Sequence, residues 1–343
     1  MTERYLIDVA PSGSVLLGPD VSCDGFHYDA RVRVQTHVHD DHMGEFDSSK
    51  GFQDILMSDA THSLLVAERD ADLPYRENLF ALRMGTPHRL ERSEVVLISS
   101  GHMLGAVQVC VRLVGGETLG YSGDFSWPLE EAIRVDALVV DSTYGQPESV
   151  RLYSQEDAEQ CLLDLVRARL RHGPLQIKAH RGTLQRALQV LTGELDAPLL
   201  ASRRLMGEVA VYRTYGYAID DVVAVDSPDG RDALRNGAYI RFYGKGDRMP
   251  VDPPPGTTVV LSAFMARPDH PLLEYTERSY RVAMSNHADF LGTVEYVRAT
   301  GARYVITDNT RGGHAIELAR ELEARLGVTC RASKLTGTAR WGV

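Results

Sequence analysis

The sequence is organised around one polar stretch, Thr36-His37-Val38-His39-Asp40-Asp41-His42, which directly follows the alternating run Arg31-Val32-Arg33-Val34. Such alternation predicts a half-buried β-strand, so the polar stretch stands at a strand end. Three imidazoles and a carboxylate are costly to bury there unless each finds a partner. A divalent cation supplies that partner, and the alternative is a solvated polar loop.

The spacing within this stretch suits two ions. His37 and His39 are separated by one residue of extended chain, so both point to one side and can hold one ion. Asp41 and His42 lie just past the bend and turn toward a second ion. We expect Asp40 to face solvent or to orient a ligand from behind.

Three later segments place further His and Asp residues at strand ends. In the stretch 99–105 the glycines let the backbone bend, so that His102 can project. Tyr121-Ser122-Gly123-Asp124 places a carboxylate where it could bridge two ions. Asp141-Ser142-Thr143-Tyr144-Gly145 follows the apolar strand 137–140. We therefore expect several strands to deliver these side chains to one edge.

A chain of 343 residues is longer than one that ordinarily folds around a single hydrophobic core. The length therefore predicts two domains, or one domain with an insertion. No apolar run approaches the ~20 residues needed to cross a bilayer, and Met1–Tyr5 lacks the pattern of a signal peptide. We therefore expect a cytoplasmic protein without a membrane partner. Cysteines without CxxC spacing argue against a thiolate zinc site and a disulfide framework, and favour reduced, buried thiols: Cys23, Cys110, Cys161 and Cys330.

The net charge of −10 is unevenly distributed along the chain. Residues 149–271 carry 16 Lys and Arg against 15 Asp and Glu, so the acidic excess lies elsewhere. An acidic body with metal-ligand carboxylates, joined to a near-neutral segment with basic clusters, is compatible with phosphate binding at one face. The alternative is an ordinary mixed surface.

The pattern of residues 149–271 predicts a small α/β layer. Apolar residues at helical spacing and short apolar runs alternate, which predicts helices over 154–172 and 183–191 and strands over 175–177 and 222–225. The proline-rich stretch Pro250–Gly256 is the clearest linker, and a strand is predicted again at 257–261.

Basic residues in this segment are candidates for phosphate binding. His180 and Arg181 lie between a predicted strand and a predicted helix start, where backbone N–H groups favour an anion. Further basic candidates, with tyrosine and phenylalanine residues available to stack on bases, are Arg203, Arg204, Arg241 and Lys245. The alternative is that the arginines are solvated and the aromatic residues belong to a core.

The order of these motifs resembles the metallo-β-lactamase superfamily, and the Asp141–Gly145 element is similar to that of its β-CASP branch of nucleic-acid nucleases. The resemblance covers nearly the whole chain. It implies an α/β fold, a four-layered αβ/βα sandwich with an inserted α/β β-CASP cap. The implied divisions are 1–148 and 272–343 for the sandwich and 149–271 for the cap. The overall size is similar to that of small bacterial exonucleases encoded beside DNA ligases.

The same resemblance assigns roles outside the metal ligands. His287, in Ser285-Asn286-His287-Ala288-Asp289-Phe290, matches a histidine that faces the scissile phosphate and is oriented by an acid, here Asp141. A plain histidine before a helix cap is the alternative. His314 is either a phosphate contact or an ordinary residue at a helix start. The substrate contacts that the resemblance suggests are Ser142, Thr143, Asn286 and His314.

The third β-CASP motif departs from the family pattern. RNA-processing relatives commonly carry a histidine there and DNA-processing relatives a valine, whereas this chain has Asp308-Asn309. Either Asp308 replaces the histidine as an oxygen ligand, or the second ion is loosely held, since an amide oxygen is a poorer zinc ligand than an imidazole nitrogen.

The expected activity is metal-dependent hydrolysis of nucleic-acid phosphodiesters, with DNA favoured over RNA and exonuclease action favoured. Zinc is the expected ion at two sites, with manganese as the alternative. His37, His39 and His102 hold one ion, Asp41 and His42 the other, and Asp124 bridges, so that an activated water attacks phosphorus. His287 protonates the leaving group. The alternatives are an RNA-processing nuclease of the same branch, a non-nucleolytic hydrolase of this fold, and a binding subunit with a defunct site.

Overall fold

The computed structural model describes residues 6–68, 72–249, 256–263 and 267–334. The chain divides into two compact units, one made of residues up to Val150 together with those from His287 onward, and the other of Arg151–Asn286. Of the predicted linker, all but Gly256 lies outside the described residues.

The strands of the described ranges are β1 (Ile7–Val9), β2 (Val15–Leu17), β3 (Val21–Cys23), β4 (Val32–Val34), β5 (Asp54–Ser58), β6 (Leu79–Leu82), β7 (His88–Arg89), β8 (Ser93–Ser99), β9 (Val107–Leu113), β10 (Thr118–Tyr121), β11 (Ala137–Val140), β12 (Leu175–Lys178), β13 (Leu199–Ala201), β14 (Val222–Ala224), β15 (Ile240–Tyr243), β16 (Thr257–Ser262), β17 (Leu272–Thr276), β18 (Ser279–Ala283), β19 (Tyr304–Thr307) and β20 (Thr329–Ala332). The helices are α1 (Phe46–Phe52), α2 (Asp59–Glu68), α3 (Gln155–Leu170), α4 (Thr183–Leu191), α5 (Arg203–Thr214), α6 (Pro228–Asn236), α7 (Phe290–Thr300) and α8 (Ala315–Leu326).

The first unit contains two sheets whose apolar faces meet. The first sheet has the order β1-β2-β3-β4-β5-β6, and the second the order β20-β19-β11-β10-β9-β8-β7. Side chains of both sheets share one buried cluster that includes Leu17, Val34, Val109 and Val139. Burial of apolar surface on this scale is the main source of stability for such a core.

Helices cover the outer faces of these sheets. α7 and α8 pack on the second sheet, where Leu138 and Val305 lie in one cluster with Phe290 and Leu318. α2 packs on β5 and β6 of the first sheet. The strand β11 is apolar throughout because both of its faces are covered. The unit is therefore an α/β sandwich of helix, sheet, sheet and helix.

The second unit is built around a single sheet with the order β14-β13-β15-β12-β16-β18-β17. All neighbouring pairs are parallel except β17 with β18. Ser154 caps α3 and forms a reciprocal capping box with Asp157, so the expected helix start is observed.

The second unit ends later in the chain than residue 271. β17 and β18 follow that residue, but β18 pairs with β16 over Thr258–Ser262, so both strands belong to the second unit. Sequence patterns did not reveal this pairing, because the residues of a strand predict the strand and do not predict the strand with which it pairs.

Two further global features concern thiols and membranes. The four cysteines are free; Cys23 and Cys330 are buried, whereas Cys110 and Cys161 are only partly buried. Among the described helices, none combines the length and apolar character needed to span a bilayer.

Candidate metal centre

The candidate ligands leave the sheets of the first unit at neighbouring strand ends. β10 is parallel to β11, and β11 is parallel to β19, so the residues that follow them emerge at one edge. Asp124 follows β10, Asp141 follows β11, and Asp308 follows β19. β8 runs in the same direction as β10, because both are antiparallel to β9, and it leads to His102.

One group of four side chains converges tightly. The Nδ1 atom of His39 lies 3.1 Å from Nε2 of His37 and 3.2 Å from Nε2 of His102. The Oδ2 atom of Asp124 lies 3.5 Å from His37 Nε2 and 3.6 Å from His102 Nε2. His37, His102 and Asp124 are buried, and His39 is half-buried. All four ligand atoms thus lie around one position.

This group could hold a metal ion. Two nitrogens bound at about 2.0–2.1 Å in a tetrahedral site are roughly 3.3 Å apart, which is close to the separations between these atoms. Three imidazoles and one carboxylate are also a donor set that suits zinc and related ions. The residues that the sequence placed at the first ion therefore fit it.

His42 has a buried nitrogen that an ion would satisfy. Its Nδ1 lies 2.7 Å from Asp24 Oδ2, which leaves Nε2 facing Asp124 Oδ1 at 3.1 Å and Asp41 Oδ2 at 3.7 Å. Among the residues that the structure describes, Nε2 has no partner in hydrogen-bond geometry. Burial alone would lower the pKa of His42, but Asp124, Asp41 and Asp24 together raise it well above its usual value. A lone pair that faces two carboxylates requires a cation, either a proton or a metal.

Asp24 orients this histidine, and sequence reasoning missed it. Its Oδ1 accepts hydrogen bonds from Thr36 N at 2.8 Å and from Gln35 Nε2 at 3.3 Å. Its Oδ2 accepts from Thr36 Oγ1 at 2.6 Å. Burial would raise the pKa of Asp24, but the attraction of His42 lowers it to about 2. The signal was present, since Asp24 follows β3 as Asp124 follows β10.

Asp141 and His287 form a second pair beside Asp124. Asp141 Oδ2 lies 3.3 Å from His287 Nδ1, and His287 Nε2 lies 3.7 Å from Asp124 Oδ2. Burial tends to lower the pKa of His287, but Asp124 and Asp141 outweigh it and raise the pKa. Asp124, Asp141 and His287 also form a group of possible ligand atoms. The pairing that the resemblance implied is present in the geometry.

Asp308 and Asn309 make hydrogen bonds to Thr310, Arg311 and Ser333. Asp308 Oδ1 accepts hydrogen bonds from Thr310 N and Oγ1, and its Oδ2 binds Arg311. Within the described ranges, Asp308 joins neither group of possible ligand atoms. The backbone N–H of Asn309 donates to the Ser333 hydroxyl, and its amide faces the Ser333 carbonyl at 3.5 Å. Sequence alone offered no sign of these partners.

Ser142 and Thr143 use their hydroxyls inside the centre. Ser142 is buried and donates to the carbonyl of Asp308. Thr143 donates to Asp141 Oδ1 at 2.8 Å. Both hydroxyls therefore donate hydrogen bonds within the centre and shape the loop after β11.

The other expected substrate contacts are spread over both units. His314 is half-buried at the N-cap of α8, where its side chain makes no capping bond and its backbone N–H donates to the Ser142 carbonyl. In the second unit, His180 is exposed and Asn286 is half-buried. Arg181 is buried, with Nε 3.5 Å from Glu208 Oε2.

Comparisons with known proteins bear on the fold and on the family of this chain. No family model matches the chain. A crystal structure described as a protein of unknown function from Enterococcus faecalis V583 aligns with a TM-score of 0.57 and 13% identity, over 82% of this chain and 76% of that one, which shows the fold alone.

One curated relative is more informative about ancestry. An "Uncharacterized protein in lig 3'region" from Acidianus ambivalens is 30% identical over 135 residues, which is 38% of this chain and 96% of that protein. Because the match spans nearly all of that protein, this chain belongs to the same family as the uncharacterized Acidianus ambivalens protein.

Proposed function

We propose that this protein is a metal-dependent nuclease that hydrolyses phosphodiester bonds, with DNA as the favoured substrate. The observation that carries the proposal is the position of Asp124. Its Oδ2 faces the three imidazoles of the first group, and its Oδ1 faces His42. A carboxylate with ligand atoms on both sides is suited to hold two ions close together.

The residues that would hold two divalent ions form two sets, one on each side of the Asp124 carboxylate. His37, His39 and His102 would hold one ion, Asp41 and His42 the other, and Asp124 both. Zinc suits the imidazole-rich set, and manganese is the alternative. Such ions lower the pKa of water and neutralise charge that develops on phosphoryl oxygens.

The remaining residues orient groups and move a proton. Asp24 holds His42 through Nδ1 and so directs its other nitrogen toward Asp124. Asp141 holds His287 through Nδ1 in the same way, so that Nε2 is the ring nitrogen that would give a proton to the departing oxygen. Thr143 in turn holds Asp141. These contacts support acid catalysis by His287.

Two observations favour a DNA substrate. The chain has Asp308-Asn309 where RNA-processing relatives commonly carry a histidine, and the amide of Asn309 faces Ser333. The Acidianus ambivalens relative is described as lying in a lig 3' region, which is in keeping with the resemblance to exonucleases encoded beside DNA ligases. We propose exonuclease action on the same resemblance.

The test is cleavage of end-labelled single-stranded DNA and RNA of one sequence with zinc or manganese. Asp41→Ala and His287→Ala should each lower the cleavage rate by about 100-fold or more, because one loses a metal ligand and the other the acid. Asp40→Asn is the matched control, since Asp40 is exposed beside Asp41 and should retain activity.

Each contrary result is informative. Cleavage of RNA alone would favour the RNA-processing alternative. Hydrolysis of simple esters or thioesters, with neither nucleic acid cleaved, would place the protein among the non-nucleolytic hydrolases. Equal cleavage by wild type and Asp41→Ala would remove Asp41 from the metal centre.

A further inference from the structure

Arg311 is a buried cation beside the metal centre, and the proposed function gives it no role. Its side chain is 8% exposed. Nη2 donates to the carbonyl of Gly13 at 2.6 Å, and Nε donates to the carbonyl of Asp41 at 3.2 Å. Nη1 binds the Asp308 carboxylate. One guanidinium therefore joins three separate segments of the first unit.

Each of these segments carries or supports a residue of the centre. Asp41 lies in the 3-10 turn Asp40–His42. The carbonyl of Asp24, whose carboxylate orients His42, lies 3.5 Å from Arg311 Nη2. Gly13 belongs to the turn between β1 and β2, and a side chain there would lie 3.3 Å from Thr310 Oγ1, so the loop after β19 is seated closely on this turn.

Asp308 is committed to holding Arg311. Its Oδ1 accepts two hydrogen bonds from Thr310, at 2.9 Å from the backbone and 2.7 Å from the hydroxyl, and its Oδ2 binds Arg311. Both oxygens are thus in use within the loop. The carboxylate at this position therefore fixes the guanidinium of Arg311 and the loop around it.

We propose that Arg311 is a positioning residue for the second ion, and that Asp308 acts through it. This inference rests on the two-ion centre proposed above. Arg311 holds the backbone of Asp41 and the loop of Asp24, and thereby places the Asp41 carboxylate and the His42 imidazole on the far side of Asp124 from the first ion.

The guanidinium is chemically suited to this task. It stays charged at every physiological pH, and its five donors are fixed in a plane, so it can hold carbonyls and a carboxylate at once. A lysine keeps the charge but has no planar fork. A methionine at this position would leave two carbonyls and a buried carboxylate without their donor, which is a costly arrangement.

The test is metal titration by calorimetry of the full chain, with zinc and with manganese alone. Arg311→Met should weaken the second site by about 10–100-fold, which is the usual effect of losing a group that orients a ligand, while the first site changes by less than about threefold. Arg311→Lys should recover part of the loss. Arg331→Met is the matched control, because Arg331 holds Asp8 and Tyr304 and should leave both affinities unchanged.

Asp308 supplies the second arm of the experiment. If it acts through Arg311, the double variant Asp308→Asn/Arg311→Met should bind the second ion no more weakly than Arg311→Met. A further loss in the double variant would mean that Asp308 is itself a ligand, and the inference would be overturned.

The outcomes separate this inference from the function on which it rests. Two ions in the wild type, with the second affinity unchanged in Arg311→Met, would overturn the role of Arg311 alone. A single ion in the wild type would overturn the two-ion centre. If both sites weaken in parallel with a loss of metal-free thermal stability, Arg311 is a structural residue only. Should Arg311→Met fail to fold, Arg311→Lys decides by the same comparison.

Discussion

At the scale of single residues, the centre depends on carboxylates that face Nδ1 of two histidines and so orient their Nε2 atoms toward Asp124. Asp24 lies 2.7 Å from Nδ1 of His42, and Asp141 lies 3.3 Å from Nδ1 of His287. Such partners fix which ring nitrogen carries the proton and which is free to bind. Asp24 has a φ of 54°, which lies in the left-handed region; few residues other than glycine adopt it, and aspartate is among those that do so most readily.

Asp24→Asn should weaken metal binding by about 10–100-fold. The amide nitrogen would face donors of Thr36 and His42 where the carboxylate now accepts. Calorimetric titration measures the change, and Asp29→Asn is the control, because Asp29 is exposed in the loop that follows. Equal affinities in the wild type and Asp24→Asn would show that Asp24 does not orient a ligand.

At the scale of elements, the direction of the strands decides what meets. The parallel pairing of β10, β11 and β19 places Asp124, Asp141 and Asp308 at one edge of the second sheet. Asp136 secures the other end of this arrangement, since its Oδ2 accepts from Thr118 N at 2.9 Å and from Thr118 Oγ1 at 2.8 Å. Hydrogen bonds from Thr118 outweigh partial burial and lower the pKa of Asp136.

Asp136→Asn should lower the free energy of unfolding at pH 7 by about 1 kcal/mol. The expected loss is this small because the carboxylate is 34% exposed, so that solvent screens its interactions. A lowered folded pKa stabilises fully above the unfolded value of about 3.9, and this stabilisation is lost as the pH falls through the folded pKa. The difference between wild type and variant should therefore be complete at pH 7 and shrink as the pH falls below about 4. Urea unfolding at several pH values measures it, and a difference that stays constant would contradict the ionic origin.

The second unit has basic residues at the carboxyl edge of its parallel strands. Lys178 ends β12, Arg203 and Arg204 follow β13, and Lys245 follows β15; all four are exposed. Arg203 already pairs with Asp226. Ligands of open parallel sheets bind outside the carboxyl ends of the strands.

Lys178→Ala/Arg204→Ala should weaken binding of single-stranded DNA and lower the slope of log affinity against log salt by about 1.4, or 0.7 for each phosphate contact. Fluorescence anisotropy at several salt concentrations measures both. The matched control is Arg171→Ala/Arg278→Ala, which removes the same charge from exposed residues preceding β12 and β18. An equal effect of the two pairs would indicate general attraction and no site at the carboxyl edge.

At the scale of the whole molecule, metal binding and folding are linked within the first unit. The chain is acidic overall, with a net charge of −10, and buried carboxylates gather around the candidate ligands. An ion that binds only the folded unit stabilises it by an amount that grows with its concentration. The metal should thus contribute to thermal stability as well as to chemistry.

Removal of metal with a chelator should lower the melting temperature by about 5–10 °C, from a loss of about 2.7 kcal/mol at a metal concentration of 100 times Kd. Differential scanning calorimetry measures the shift. His37→Ala is the control, since it lacks a first-group ligand and should respond much less to the chelator. A wild-type melting temperature that is indifferent to the chelator would argue against a resident metal.

Residue patterns were sufficient to predict several of the strands and helices and the four residues of the tightest His and Asp group. Periodicity and strand-end motifs are local features of the sequence. They are sufficient to predict that His37, His39, His102 and Asp124 lie at strand ends and bind one ion. The apolar run also identified β11 with the observed bounds, Ala137–Val140. Local chemistry was sufficient there because each motif lies beside the strand that carries it.

The distant groups that complete the centre meet only when the chain packs. Arg311 meets Gly13 across 298 positions of the chain, and Ser142 meets Asp308 across 166. The same holds for β18, whose partner β16 assigns it to the second unit. Such contacts depend on which buried groups find donors when the chain packs, and no residue pattern within a segment records its partner in another.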